Sequence, residues 1–160
     1  MSKILIIYYS RTGNTQKMAE IVARGAQAKG AEVTLKEVGE VQPREMLDFD
    51  GIVMGSPTYY GAMAFEIKKL LDESVDFHSE LEGKVGGAFA SAANIGGGNE
   101  TTVLSILNAM LIHGMIVPGA FLGDHYGPVS IGEPNNHVEG QCKALGQRVA
   151  ALADKLCAKA

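Results

Sequence analysis

The 160 residues are 46% hydrophobic and 20% charged with a net charge of −4, the balance of one globular domain long enough for a substantial core. That charge excludes a generally basic nucleic-acid surface, and no apolar run approaches a membrane span. The first residues lack a signal-peptide cleavage pattern, Cys142 and Cys157 have no C-x-x-C spacing and the four histidines no ligand spacing, so a cytoplasmic chain without disulfide or metal is expected.

Ile4 to Tyr9 is an unbroken apolar, β-branched run, which predicts a strand buried on both faces of a parallel sheet. Met18, Ile21, Val22, Gly25 and Ala26 then recur at helical spacing until Lys29-Gly30 signals a stop. Between them lies Ser10-Arg11-Thr12-Gly13-Asn14-Thr15. A helix N-terminus favours an anion, because its first amides lack partners and the peptide dipoles leave positive charge there. Helix capping needs one short polar residue, whereas this turn holds four such donors and a glycine, so a phosphate cradle is the better reading. The turn is neither G-x-x-x-x-G-K-[ST] nor G-x-G-x-x-G, which points away from triphosphate hydrolysis and towards a terminal monophosphate.

Val33 and Leu35 alternate with polar neighbours as a half-exposed edge strand, and Gln42 to Asp48 reads as a polar connection. Gly51 to Gly55 predicts another buried strand, ending abruptly in Ser56-Pro57-Thr58-Tyr59-Tyr60-Gly61. A helix over 63–74 turns Ile67, Leu70 and Leu71 inward, and Val85 to Ala90 forms a central strand of small residues. The glycine-rich loop Ser91 to Asn99 leads into a helix carrying Leu104, Leu107 and Leu111. Met115 to Leu122 reads as the fifth strand, with Pro118 placing it at an edge or bulge. After a loop from Gly123 to Asn136, the stripe Val138, Cys142, Leu145, Val149, Leu152 and Leu156 predicts the last helix.

Strands alternating with helices imply right-handed crossovers and a covered parallel sheet. The expected fold is α/β, a doubly wound five-stranded parallel sheet in the order 2-1-3-4-5, whose ligands bind beyond the carboxyl ends of the strands. Three loops fall there. The first is the cradle at Ser10; the second offers Tyr59 and Tyr60 on a tight turn between Pro57 and Gly61. The third, Ser91-Ala92-Ala93-Asn94-Ile95-Gly96-Gly97, is poor in side chains and could lay backbone amides along a flat ligand. A phosphate, an aromatic wall and a run of amides describe FMN.

Tyr8-Tyr9-Ser10-x-x-Gly13, Gly55-Ser56-Pro57-Thr58-x-Tyr60-Gly61-x-Met63, Gly96-Gly97-Gly98-x-Glu100-x-Thr102, His113-Gly114-Met115 and Tyr126-Gly127 together resemble the flavodoxin-like WrbA-type NAD(P)H:quinone oxidoreductases. The resemblance implies an FMN-binding flavodoxin-like fold and two-electron reduction of quinones by NAD(P)H, both substrates using one place in turn. By that resemblance Ser10 to Thr15 hold the phosphate, Thr58 to Tyr60 border the isoalloxazine, and Ala92 to Gly97 wrap its other side. Thr12 falls at a nicotinamide contact, and His113 matches a histidine near the ring, with a catalytic role as donor to the quinol oxygen; the alternative for His113 is a polar residue ending its helix, where positive charge complements the dipole. This chain has no tryptophan where the family has one near its substrate; Phe77 and His78 lie in that stretch. The family's tetramer-building insertions are shorter here, which leaves homodimer and homotetramer open.

The rival reading is a flavodoxin-type carrier passing single electrons between protein partners, and the Ser10 to Thr15 turn resembles flavodoxin itself. Against it, the Tyr60-Gly61-Ala62 turn and the Ser91 to Asn99 loop carry no acid, and that loop no aromatic ring, so a ring face stays open to substrates. A phosphoacceptor regulator would need an aspartate where Gly55-Ser56 stands.

Overall fold

A computed structural model describes residues 1–158. Its elements are β1 (Lys3–Tyr8), α1 (Asn14–Gln27), β2 (Glu32–Glu37), 3-10 turns at Val38–Glu40 and Pro43–Asp48, β3 (Gly51–Pro57), α2 (Phe65–Glu73), a kinked 3-10 segment Ser74–Leu81, β4 (Val85–Ala92), α3 (Asn99–Ile112), β5 (Val129–Ile131) and α4 (Asn136–Cys157). The five strands are parallel in the order β2-β1-β3-β4-β5, the doubly wound topology expected from the alternation of elements.

Side chains of a strand alternate between faces, and β1 shows what that does in a sheet covered on both sides. Ile4 and Ile6 pack with α1 and α4; Leu5 and Ile7 pack with α2 and α3. All four are completely buried, each contributing about 2 kcal/mol by burial. A small residue of β3 admits bulk from β4: the ring of Phe89 lies over Gly55, where a Cβ would stand 2.1 Å from it. On this same face of the sheet α1 and α4 touch backbone to backbone. A Cβ on Gly146 would lie 2.1 Å from the Val22 carbonyl oxygen, and one on Gly25 2.2 Å from that of Lys143.

The fifth strand is a correction. Met115–Leu122 does not form it; only Ile116 reaches the ladder, bridging Val85, and the strand proper is Val129–Ile131. Ile116 donates to the Lys84 carbonyl at 2.8 Å and accepts from Gly86 at 2.9 Å. Pro118 has no N–H to continue, so the chain loops out and rejoins where Ala90 donates to the Pro128 carbonyl at 3.0 Å. Asp124 fastens this excursion: its carboxylate accepts from the Val129 amide at 3.1 Å, and its own amide donates to Gln141 Oε1 at 3.1 Å.

Two lesser expectations also change. The connection from Gln42 to Asp48 is a 3-10 turn that buries Met46 completely. On α3 the inward stripe is Val103, Ile106, Leu107 and Met110, while Leu111 is exposed. This helix carries apolar residues around most of its circumference, so periodicity did not mark the buried side.

Cys142 is buried on α4 and Cys157 is exposed on its last turn; both are free thiols. Burial, then the charges of Asp124 and Glu139, push the Cys142 thiol up to about 12. A colorimetric thiol reagent at mildly alkaline pH is therefore expected to titrate one cysteine in the native protein and both in denaturant. Two fast thiols in the native state would show that α4 opens.

Candidate functional site

The connections after β1, β3 and β4 meet at the carboxyl ends of those strands. Gly13 is the N-cap of α1 with φ 97°, and no side chain caps the helix. Capping is thus not the work of the hydroxyls in this turn. Ser10 Oγ accepts from the Gly13 amide at 3.1 Å and shapes the loop, while Thr15 Oγ1 shares a hydrogen bond of 2.9 Å with Ser91 Oγ. The first amides of α1 stay available to an anion.

After β3, Thr58 donates its amide to the Ser91 carbonyl at 2.7 Å, which seats the second loop on the third. Tyr59 and Ala62 then exchange both amide-to-carbonyl bonds, 3.0 and 3.1 Å, closing a two-residue hairpin. Its tip residues Tyr60 (φ 51°) and Gly61 (φ 76°) both take positive φ, as a type I′ turn demands. For Tyr60 that conformation costs about 1 kcal/mol or more, and its ring stands wholly in solvent. Tyr59 instead faces the site and meets Tyr9 edge-on, ring centroids 6.5 Å apart at 73°. Partial burial first and the Glu66 carboxylate second push the Tyr9 phenol above its ordinary value.

Arg11, Thr12, Asn14, Thr15, Pro57, Thr58, Tyr59, Ser91, Ala92 and Ala93, all expected from the sequence, converge on a cleft of about 380 Å³. Gly132, just beyond β5, adds a wall that sequence reasoning missed because it had placed the fifth strand elsewhere. The next residue, Glu133, pairs with Lys17 on the first turns of α1, and this contact pulls the Glu133 carboxyl below its usual value. Asn94, Ile95, Gly96 and Gly97 turn outward into solvent rather than along the cleft. Gly61 packs on Gly98, where a Cβ would come within 2.6 Å of it.

His113, expected either as a catalytic donor or as the polar residue that ends its helix, is not among the residues lining this cleft. It is the C-cap of α3, and 14 residues of helix, about 21 Å, carry it to the opposite, amino-terminal end of the strands. The ring is buried, with Nε2 hydrogen-bonded to Ser74 Oγ at 2.7 Å and Nδ1 donating to the His78 carbonyl at 3.0 Å. Phe77 and His78 sit at that far edge too: Phe77 is buried, and the His78 ring lies 5.2 Å from that of His113. His125 is used inside the loop before β5, donating to the Ala120 carbonyl at 2.8 Å.

A larger groove of about 930 Å³ runs between the 3-10 turns after β2 and α2. Glu37, Glu66, Glu73 and Asp76 line it, and its cations are engaged, Lys69 with Glu73 at 2.5 Å and Arg44 with Glu80 at 3.8 Å. The start of α2 borders it, but Glu66 already places a carboxylate in that first turn, and no cluster of hydroxyls lines the groove. Anion-binding chemistry therefore belongs to the smaller cleft.

Comparison with known proteins agrees with this geometry. A family model described as Flavodoxin matches residues 6–114. A flavodoxin from Aquifex aeolicus is 42% identical over 94% of this chain and 86% of its own length. An NAD(P)H dehydrogenase (quinone) from Archaeoglobus fulgidus is 38% identical over 98% of this chain and its entire length. Among solved structures, a flavodoxin described as a WrbA-like protein from Agrobacterium tumefaciens superposes with a TM-score of 0.82 at 27% identity, covering 97% of this chain and 99% of the other. The chain belongs to the flavodoxin family, whose cofactor is FMN.

Proposed function

We propose that this protein is an FMN-dependent oxidoreductase moving two electrons from NAD(P)H to quinones. The cleft residues fit FMN on their own chemistry. Thr58 Oγ1 is buried without a hydrogen-bond partner, a cost that a polar ligand would remove. The uncapped α1 and the side chains of Thr12, Asn14 and Thr15 suit a phosphate ester, and Arg11 adds a cation at the rim. Tyr59, backed by Tyr9, offers a flat apolar wall to the ring.

When bound, FMN supplies the hydride chemistry. The residues supply position and access. One observation carries the enzymatic reading: the cleft has an aromatic wall on one side only. Tyr59 stands with Ala92 and Ala93 in the lining, no second aromatic ring lines the cleft among the described residues, and Tyr60 stands in solvent. Space is left there for a nicotinamide or a quinone to lie in turn. The quinone-reducing relative, matched along its whole length, supports the same assignment.

A single-electron carrier is the second reading, favoured by the flavodoxin relative and by the carboxylates of the groove bordered by Glu66, which could receive a basic protein. Anaerobic mixing of the FMN-loaded protein with NADH or NADPH tests the choice. The expected result is bleaching of the flavin by one of the two and its recovery on adding a benzoquinone. A flavin that stays oxidised until dithionite is added would overturn the enzymatic reading.

A further inference from the structure

α3 and the chain that follows it show solvent a face without charge. Residues 101–123 contain no Asp, Glu, Lys or Arg, the longest such run in the sequence, and their one histidine, His113, is buried. Asp124, which ends the run, is engaged by the Val129 amide and His137. The outer sides of the other helices are charged, as Arg24 on α1, Lys68 on α2 and Lys143 on α4 show. α3 instead ends in exposed Leu111 and Ile112, and the single rung at Ile116 is 41% exposed. Beyond it the excursion closes on itself, Ala120 donating its amide to the His125 carbonyl at 3.1 Å. Phe121 and Leu122 stand at its tip, 89% and 70% exposed. Its return passes beside α3, where a Cβ on Gly127 would lie 3.3 Å from Val103, and leaves Tyr126 half exposed. These six side chains form one strip along the sheet edge, from the end of α3 to the tip that rests against Gln141 of α4.

At roughly 200 Å² for a fully exposed large apolar residue, the strip leaves about 750 Å² in water. The largest apolar patch on a monomer ordinarily measures about 300–600 Å², whereas each partner of a stable protein pair covers about 600–1,000 Å². The strip therefore has the extent of an interface, and its chemistry selects the occupant. Without charge it cannot steer a charged protein, and without lysine or arginine it does not suit an anionic bilayer. On a chain of net charge −4 it is also the surface on which two copies meet with least repulsion. We infer that the β5 edge is the interface of a homodimer, in which a two-fold axis lays the strip of one copy on that of the other. Side chains make the contact, because the interrupted ladder at Ile116 and Val129–Ile131 gives a neighbouring strand no continuous edge to join. None of the six residues lines the cleft, so each copy keeps its own site.

Analytical ultracentrifugation of the purified protein with FMN added, between about 1 and 50 μM, covers the weak end of interfaces of this size. The expected species has twice the mass of the chain. Ile112→Lys and Phe121→Glu, at opposite ends of the strip, should each raise the dissociation constant at least about thirtyfold, since the two-fold axis brings every introduced charge into the interface twice. Both positions are exposed in a single copy and absent from the cleft lining, so folding and FMN content should match the parent. Phe65→Glu, at a similarly exposed position on the first turn of α2, should leave the dimer intact. A larger oligomer that comes apart on either strip substitution would support the same interface. A parent that sediments as a monomer throughout, or a dimer that neither strip variant weakens, overturns the inference. So does a monomer that binds vesicles of neutral lipid through Phe121, which would give the strip to a bilayer.

Discussion

Gly146→Val is expected to lower the stability of the fold by about 3 kcal/mol, since the added carbons would enter the backbone of α1 at Val22 and Ala26, which cannot step aside as a side chain could. Helix propensity works the other way, because valine is a better helix former than glycine. The steric term must win for the prediction to hold. In a chain of this size the loss corresponds to a fall of about 6–12 °C in Tm. Gly140→Ala is the matched control: it sits on the same helix with nothing within 4 Å of the added methyl, and is expected to gain about 0.5–1 kcal/mol. Urea midpoints for the two variants should therefore move in opposite directions. Shifts of the same sign and size would mean that α1 and α4 are not in backbone contact.

Asn14→Asp should separate folding from cofactor binding. Asn14 is the first residue of α1 and lines the cleft. A carboxylate of the same shape placed there meets the positive end of the helix dipole and is expected to stabilise the apoprotein by about 0.3–1 kcal/mol. The same charge repels a phosphate bound at that helix end. At the dielectric of a partly exposed site the repulsion comes to about 2 kcal/mol, or roughly a thirtyfold weaker FMN affinity. Fluorescence titration of the apoprotein with FMN measures it. The deficit should shrink in high salt, which screens the repulsion, and at acidic pH, where the new carboxyl takes up a proton. An apoprotein that gains stability while binding FMN as tightly as before would place the phosphate elsewhere.

What could be read from the chain follows from how local each signal is. The run Ile4 to Tyr9 and the turn behind it declared strand, handover and cradle together, because a strand covered on both faces must be apolar throughout and its hydroxyl-rich turn lies next to it in sequence. The residues 129–131 could not announce themselves. Three residues are too few for a pattern, and the apolar stretch after Met115 competes for the same role until Pro118 breaks its ladder. Gly132 was lost with that strand. Thr101 Oγ1 donates to the Gly61 carbonyl at 2.6 Å and Ser105 Oγ accepts from the Met63 amide at 3.1 Å, a meeting of a helix with a distant loop which no local pattern records. His113 shows the converse: its place in a motif says nothing of the length of helix that carries it away from the cleft.

The looped-out stretch before β5 has a bearing on the protein's behaviour at high concentration. An uninterrupted border strand offers a row of free amides and carbonyls on which a strand from another molecule can build, the first step of many aggregates. Here that border has one rung at Ile116 and a short ladder at Val129–Ile131, with the loop fastened by Asp124 standing between them. An incoming strand would have to match two offset fragments around an obstacle, so the same detour that conceals the fifth strand from the eye also denies it to intruders.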